Sequence, residues 1–185
     1  MTLVIGFILG FFTAQIGRPT APVASAPDPA AAGMPENHPT PETMEHLAHL
    51  QQDAESDPAN REVRIALGNA YYDIGRFEAA ASWYEQALAL DPADANVNTD
   101  LGTAHLYQGE VETAIEIYRQ SLAIEPGHPQ TLQNMGIALF AQGRNDEAIS
   151  YWQQLLSEHP DYPHADAILE QVANAREKAA QAQNP

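Results

Sequence analysis

The sequence contains no cysteine and has little positive charge. Without cysteine the chain can form no disulfide, no thiolate zinc site and no haem attachment through a C-x-x-C-H motif. Lys and Arg together number 8 against 25 Asp and Glu, so the formal net charge is -17. DNA and RNA binding require clustered positive charge to replace phosphate counterions, and anionic lipid headgroups make the same demand. We therefore expect no nucleic-acid partner and no lipid contact through the acidic part of the chain.

The chain also lacks motifs that carry catalysis, since it has neither a glycine-rich phosphate loop nor a G-x-S-x-G nucleophile turn. Two groups of side chains could bind a metal. His46, His49 and Asp53 are spaced to place three ligands on one helix face. Met34 and His38 could ligate haem iron or copper. Both patterns are also typical of exposed polar helices and of turns, so we predict no enzymatic activity, no bound metal and no cofactor.

A long apolar run occupies the amino terminus, in MTLVIGFILGFFTAQIG, with no charged residue from Thr2 to Gly17. A helix needs about 20 apolar residues to cross a bilayer, with about 17 near the lower limit. The run is therefore short for a span, and it also suits a signal peptide, which the A-x-A pattern at Ala24 and Ala26 could end. We predict a retained membrane anchor over residues 1–17. A cleaved signal peptide and a helix of a soluble domain are the alternatives.

The segment after the anchor, residues 18–41, is rich in proline and alanine. It has too few large apolar side chains to offset the entropy lost on ordering. Proline-rich chain is extended and semi-rigid. We predict a linker that holds the rest of the protein away from the membrane. The orientation across the membrane stays open, because no basic residue precedes the apolar run.

The remainder of the chain repeats with a period of 34 residues. The three best blocks are LGNAYYDIGRFEAAASWYEQALALDP, LGTAHLYQGEVETAIEIYRQSLAIEP and MGIALFAQGRNDEAISYWQQLLSEHP. Such a period is typical of a helical solenoid. Five residue classes keep the register: Gly68, Gly102 and Gly136; Gly75, Gly109 and Gly143; Ala80, Ala114 and Ala148; Tyr84, Tyr118 and Trp152; and Pro92, Pro126 and Pro160.

These blocks resemble the tetratricopeptide repeat. The resemblance implies two helices per block, stacked into a right-handed solenoid. The residues support it independently, because Leu67, Ala70 and Ile74 recur at helical spacing. Gly75 then stands where a helix ends. We therefore predict an all-α tetratricopeptide helix-turn-helix solenoid.

The array extends beyond the three blocks at both ends. Counting back one period makes residues 42–60 the second helix of a degenerate leading repeat, with Leu47 and Leu50 facing inward. After the third block, Ile168, Leu169 and Val172 form the apolar side of a capping helix. The predicted division is thus 42–60 for the leading helix, 61–94, 95–128 and 129–162 for the three full repeats, and 163–185 for the capping helix and tail.

The resemblance also implies a peptide-binding groove, lined by fixed positions of each first helix. None of the groove residues in this chain is Lys or Arg, whereas members of the family that capture acidic tails use groove lysines and arginines. Amides and aromatic side chains would suit a neutral to basic peptide with apolar anchors, with Tyr72 and Phe140 as the main anchors. Leu106 and Ile137 could instead pack neighbouring helices. The predicted groove residues are Ile65, Asn69, Tyr72, Asp73, Asp100, Thr103, Leu106, Tyr107, Gln133, Asn134, Ile137 and Phe140.

An anchor, a tether and a short repeat array together resemble the periplasmic tetratricopeptide components of bacterial cytochrome c maturation. That resemblance implies a single-pass protein of the inner membrane whose repeats face the periplasm and hold an apocytochrome segment. A generic membrane-anchored scaffold for another envelope complex is the alternative. An adaptor that faces the cytoplasm is a third reading, because the orientation is open.

The anchor prediction can be tested by carbonate extraction of membranes. The apolar run should keep the full-length protein in the membrane pellet. Insertion of uncharged apolar side chains into lipid does not depend on pH or salt, so alkaline carbonate should not release the protein. Release of full-length protein into the soluble fraction would contradict a retained anchor.

Overall fold

The computed structural model describes residues 39–183, and this part of the chain is helical, with no strand. The predicted anchor and most of the predicted linker, including Met34 and His38, lie outside the described residues. No helix within residues 39–183 has the length and hydropathy to span a membrane. The helices are α1 Pro41–Ser56, α2 Arg61–Asp73, α3 Phe77–Leu90, α4 Ala95–Tyr107, α5 Val111–Ile124, α6 Pro129–Ala141, α7 Asn145–Glu158 and α8 Ala165–Gln183.

The helices stack in chain order. α2 packs on α3, α4 on α5 and α6 on α7, so each repeat block forms one helical hairpin. Each hairpin then packs on the next through α3 with α4 and α5 with α6, while α1 and α8 cover the two ends. The described chain is therefore an all-helical solenoid of stacked hairpins.

Each hairpin turns at a glycine with a positive φ angle. The φ angles are 72° at Gly75, 81° at Gly109 and 73° at Gly143. In the first hairpin the N–H of Arg76 donates to the carbonyl of Tyr71 at 2.9 Å, the bond that ends a helix through a left-handed glycine. A side chain at these positions would strain the backbone. The glycines therefore determine where each turn lies.

Inside each hairpin an aromatic ring lies directly against a glycine of the first helix. These rings are almost fully buried, and a Cβ atom added to the glycine would lie within 2.6 Å of a ring atom in every hairpin. The two helices can therefore approach closely only because the glycine has no side chain. The three contacts are Gly68 with Tyr84, Gly102 with Tyr118 and Gly136 with Trp152.

Polar contacts also join one hairpin to the next. At the first junction Arg61 forms an ion pair with Asp94, whose carboxylate accepts from the N–H of Val97 at 3.0 Å and so caps α4. At the second junction Ser121 and Thr131 are fully buried, and their hydroxyl oxygens lie 2.8 Å apart. Because buried polar groups are costly when unpaired, such bonds fix how the hairpins are placed.

The last helix covers the third hairpin with a face other than the predicted one. Ile168, Val172 and Ala175 are buried, but Leu169 is 54% exposed. The prediction that Leu169 packs inward was therefore wrong. Ile168 and Val172 are four residues apart and share one helix face, whereas Leu169 lies about 100° further round the helix axis.

Replacing Gly102 by Ala should destabilise the domain by about 2 kcal/mol, because the new methyl group would lie 2.6 Å from the ring of the buried Tyr118. Urea unfolding followed by circular dichroism measures the change. Gln120→Ala on the exposed side of α5 is the matched control and should stay within about 0.5 kcal/mol of wild type. Equal midpoints for Gly102→Ala and wild type would show that the contact is not tight.

Candidate functional site

The predicted groove residues lie on α2, α4 and α6, the first helices of the three hairpins. The structure brings six of them to one cavity of about 220 Å³. We call it the central pocket. Tyr84, Thr99 and Gln130 complete its lining, together with the six predicted residues Asn69, Tyr72, Asp73, Asp100, Thr103 and Asn134.

A chain of hydrogen bonds fixes the amide side chains of the central pocket. Asn134 donates through Nδ2 to the hydroxyl of Thr103 at 3.0 Å, and Thr103 donates to the carbonyl of Thr99 at 2.8 Å. The hydroxyl of Tyr84 donates to Oδ1 of Asn69 at 2.7 Å. These bonds set which way each amide faces. They leave Oδ1 of Asn134 and Nδ2 of Asn69 as a preset acceptor and donor.

The central pocket is acidic. No Lys or Arg lines it, and Asp73 and Asp100 both do. Burial raises the pKa of Asp100 to about 6, and the nearby charge of Asp94 adds to the rise. The pKa of Tyr84 is also raised, by burial and by the charges of the two pocket aspartates. Burial is the main cause of both shifts, and the aspartate charges act in the same direction.

Three aromatic rings form a cluster beside the central pocket. The ring of Tyr72 lies edge-on to Phe77 at 5.3 Å and to Tyr107 at 5.7 Å, and Phe77 stacks on Tyr107 at 4.9 Å. Tyr107 is 39% exposed, so part of the aromatic cluster is open to solvent. Phe77 was missed because it begins α3, a second helix. Its position directly after the turn at Gly75 was the signal that could have located it.

Four other predicted groove residues serve packing in the structure. Leu106 and Ile137 pack against the core of the second and third hairpins, and Ile65 packs against the core of the first two. The side-chain oxygen of Gln133 accepts a hydrogen bond from the hydroxyl of Tyr162 at 2.7 Å. Of the two readings that the sequence left open for Leu106 and Ile137, the packing role is the one that the structure supports.

Phe140 lies at the end of the groove that α8 covers. Its ring is 5.9 Å from the ring of the buried Trp152, and the Nζ atom of Lys178 lies 4.3 Å from its centroid. Phe140, which the sequence suggested as a main anchor of the groove, therefore packs against the core of the third hairpin. Lys178 is a cation at this end of the groove. The sequence prediction missed it, because it considered only residues of the first helices. The open part of the groove is consequently the central pocket and the aromatic cluster.

The three side chains on α1 that were considered as candidate metal ligands do not come together. Nδ1 of His49 lies 3.0 Å from the carboxylate of Asp53, and His46 does not join them. Within residues 39–183 no three His, Asp or Glu side chains are grouped as a metal site would need.

Solved structures similar to this chain are helical repeat proteins of one class. The MamA protein superposes with a TM-score of 0.69 at 22% identity, over 75% of this chain and 74% of MamA. The TPR domain of Arabidopsis OM64 gives 0.58 at 21% identity, over 62% and 94%. The first TPR of Spaghetti (RPAP3), bound to the HSP90 peptide SRMEEVD, gives 0.59 at 20%, over 63% and 93%. The fold is thus that of a tetratricopeptide-repeat protein.

The sequence identifies the family within that class. Residues 48–183 match the family described as the cilia and flagella-associated protein 70 middle TPR-like domain, and the chain belongs to this family of TPR-like domains. A comparison with curated proteins finds no significant match. The prediction of a tetratricopeptide protein is confirmed.

Replacing Asp100 by Asn should raise the stability of the domain at neutral pH. The pKa of Asp100 is about 6 in the folded chain and about 3.9 in an unfolded chain. The folded state therefore binds more protons between these values, and the free energy of unfolding falls as pH rises through them. We expect Asp100→Asn to be about 1 to 2 kcal/mol more stable than wild type near pH 7.5 and equally stable near pH 4.

Urea unfolding at both pH values measures this difference. Glu85→Gln removes one charge from an exposed position on α3 and should show no such dependence on pH. If Asp100→Asn and wild type unfold at the same urea concentration at both pH values, the Asp100 carboxylate is not destabilised by burial.

Proposed function

We propose that this protein is a non-catalytic binding module that holds a peptide or helix of a client protein in its groove. The observation that carries the proposal is the open central pocket with the aromatic cluster beside it. Its amides present a preset donor and acceptor that an extended backbone can use. The aromatic cluster supplies aromatic side chains of the kind that anchor interfaces.

Peptide binding is a known use of this fold in a structural neighbour. The first TPR of Spaghetti (RPAP3) is bound to an HSP90 peptide whose last residues include three carboxylate side chains, in the sequence SRMEEVD. The central pocket of this chain carries Asp73 and Asp100 and no Lys or Arg. Like charges at a desolvated contact cost several kcal/mol. The client is therefore a different kind of peptide, neutral to basic, with apolar anchors.

The proposal extends to the place where the client is held. The uncharged run over residues 1–17 and the proline-rich segment over 18–41 support a membrane-tethered domain, and the resemblance to cytochrome c maturation components is the basis for proposing the inner membrane and the periplasmic side. For a domain held in this place, we propose an apocytochrome c undergoing maturation as the client. Assembly or stabilisation of another envelope complex is the alternative. Mass spectrometry of proteins that co-purify with the full chain from native membranes separates the two.

Replacing Tyr72 and Tyr107 together by Ala should weaken binding of the co-purified client at least tenfold, because truncating aromatic anchors costs about 2 kcal/mol or more. Phe140 is not used, since it packs beneath Lys178. Titration calorimetry with the full chain measures the affinity, and circular dichroism checks that helix content is kept.

The matched control is Leu90→Ala, which truncates a side chain that is 46% exposed at the end of α3, outside the groove. It should bind the client as tightly as wild type. If the double variant binds normally while Leu90→Ala binds weakly, the client contacts the second helices and the groove is not the binding surface.

A further inference from the structure

Asp100 occupies an unusual position for a carboxylate. It lies in the middle of α4, on the wall of the central pocket, and it is more than half buried. Among the residues that the structure describes, none donates a hydrogen bond to its carboxylate, and the charge of Asp94, which is also negative, adds to the rise in its pKa. A buried charge is costly unless it is paired. The structure therefore leaves a place for a cation from outside the chain.

Two cations of the chain that could offset this charge are held elsewhere. Arg61 is paired with Asp94 at the junction of the first two hairpins. Lys178 lies over the ring of Phe140, at the end of the groove covered by α8. Neither residue lines the central pocket. The negative charge of Asp73 and Asp100 thus faces an open cavity.

We propose that the central pocket binds the side chain of an arginine in the client. The proposal rests on the function proposed above and names the residue that the groove selects. A guanidinium is planar and carries five N–H donors, which suit several acceptors arranged around it. The pocket supplies the carboxylates of Asp73 and Asp100 and the unused Oδ1 of Asn134.

The aromatic cluster favours arginine over lysine. Tyr72 belongs both to the pocket lining and to the aromatic cluster, so an aromatic ring stands beside the acceptors. A guanidinium stacks on an aromatic face and is more weakly hydrated than an ammonium group. The cavity of about 220 Å³ also has room for a side chain.

A metal ion is a poorer occupant of the same pocket. Calcium takes six to eight oxygen ligands and usually several carboxylates. The central pocket contributes two carboxylates, on neighbouring helices. Within residues 39–183 no three His, Asp or Glu side chains are grouped around one point.

The test uses short peptides that differ at one position. Acetylated and amidated pentapeptides with Arg, citrulline, Lys or Glu between flanking alanines are titrated into the full chain, and amide chemical shifts are followed by NMR. Citrulline keeps the shape of arginine without its charge. The arginine peptide should shift amides of α2 and α4 around the central pocket. The citrulline peptide should bind about tenfold more weakly, because the charge-assisted bonds are lost.

Variants of the two pocket aspartates test whether the central pocket causes the difference in binding between the arginine and citrulline peptides. Asp73→Asn combined with Asp100→Asn should remove the difference between the arginine and citrulline peptides. The double control Glu85→Gln with Glu116→Gln removes the same total charge from exposed positions on α3 and α5 and should keep it. Equal binding of the two peptides to wild type would overturn the proposal, as would the absence of any pocket shift up to millimolar peptide.

These outcomes are separate from those of the proposed function. If arginine and citrulline peptides bind alike but the native client still depends on Tyr72 and Tyr107, the groove stands and the arginine pocket is wrong. If replacing Tyr72 and Tyr107 does not weaken binding of the native client, the proposed function is wrong, regardless of how the pentapeptides bind.

Discussion

The structure depends on one contact that recurs three times, an aromatic ring of the second helix against a glycine of the first. The rings of Tyr84, Tyr118 and Trp152 are at most 2% exposed, and burying each contributes about 2 kcal/mol or more. The contact sets the distance between the two helices of a hairpin. The rings also border the groove, because Tyr84 lines the central pocket and the hydroxyl of Tyr118 lies 3.1 Å from that of Thr103.

The groove keeps features that a purely structural surface would not need. Asp100 holds a half-buried carboxylate without a cation, and its raised pKa, about 6, means that the folded chain loses stability at neutral pH. Features that cost stability are expected at functional sites. The aromatic cluster beside it exposes part of Tyr107 to solvent. In the function proposed here, both features become favourable when a client with a cation and an apolar anchor fills the groove.

The repeats and the helical fold could be predicted from the sequence because the signals are local. Glycine marks each turn, and the period of 34 residues fixes the pairing of helices. The site could be predicted only in part. Phe77 reaches the groove from a second helix, and Lys178 covers Phe140 from α8. Both contacts depend on how separate elements pack, and the exposure of Leu169 depends on the rotation of α8, which periodicity alone does not give.

The central claim is that the client lies along the first helices. Amide hydrogen exchange of the full chain, with and without the co-purified client, tests it most directly. Exchange should slow on binding in α2 and α4, around Tyr72 and Asp100, because a bound peptide excludes water from the central pocket. Protection confined to α3, α5 and α7, with none in α2 and α4, would contradict it.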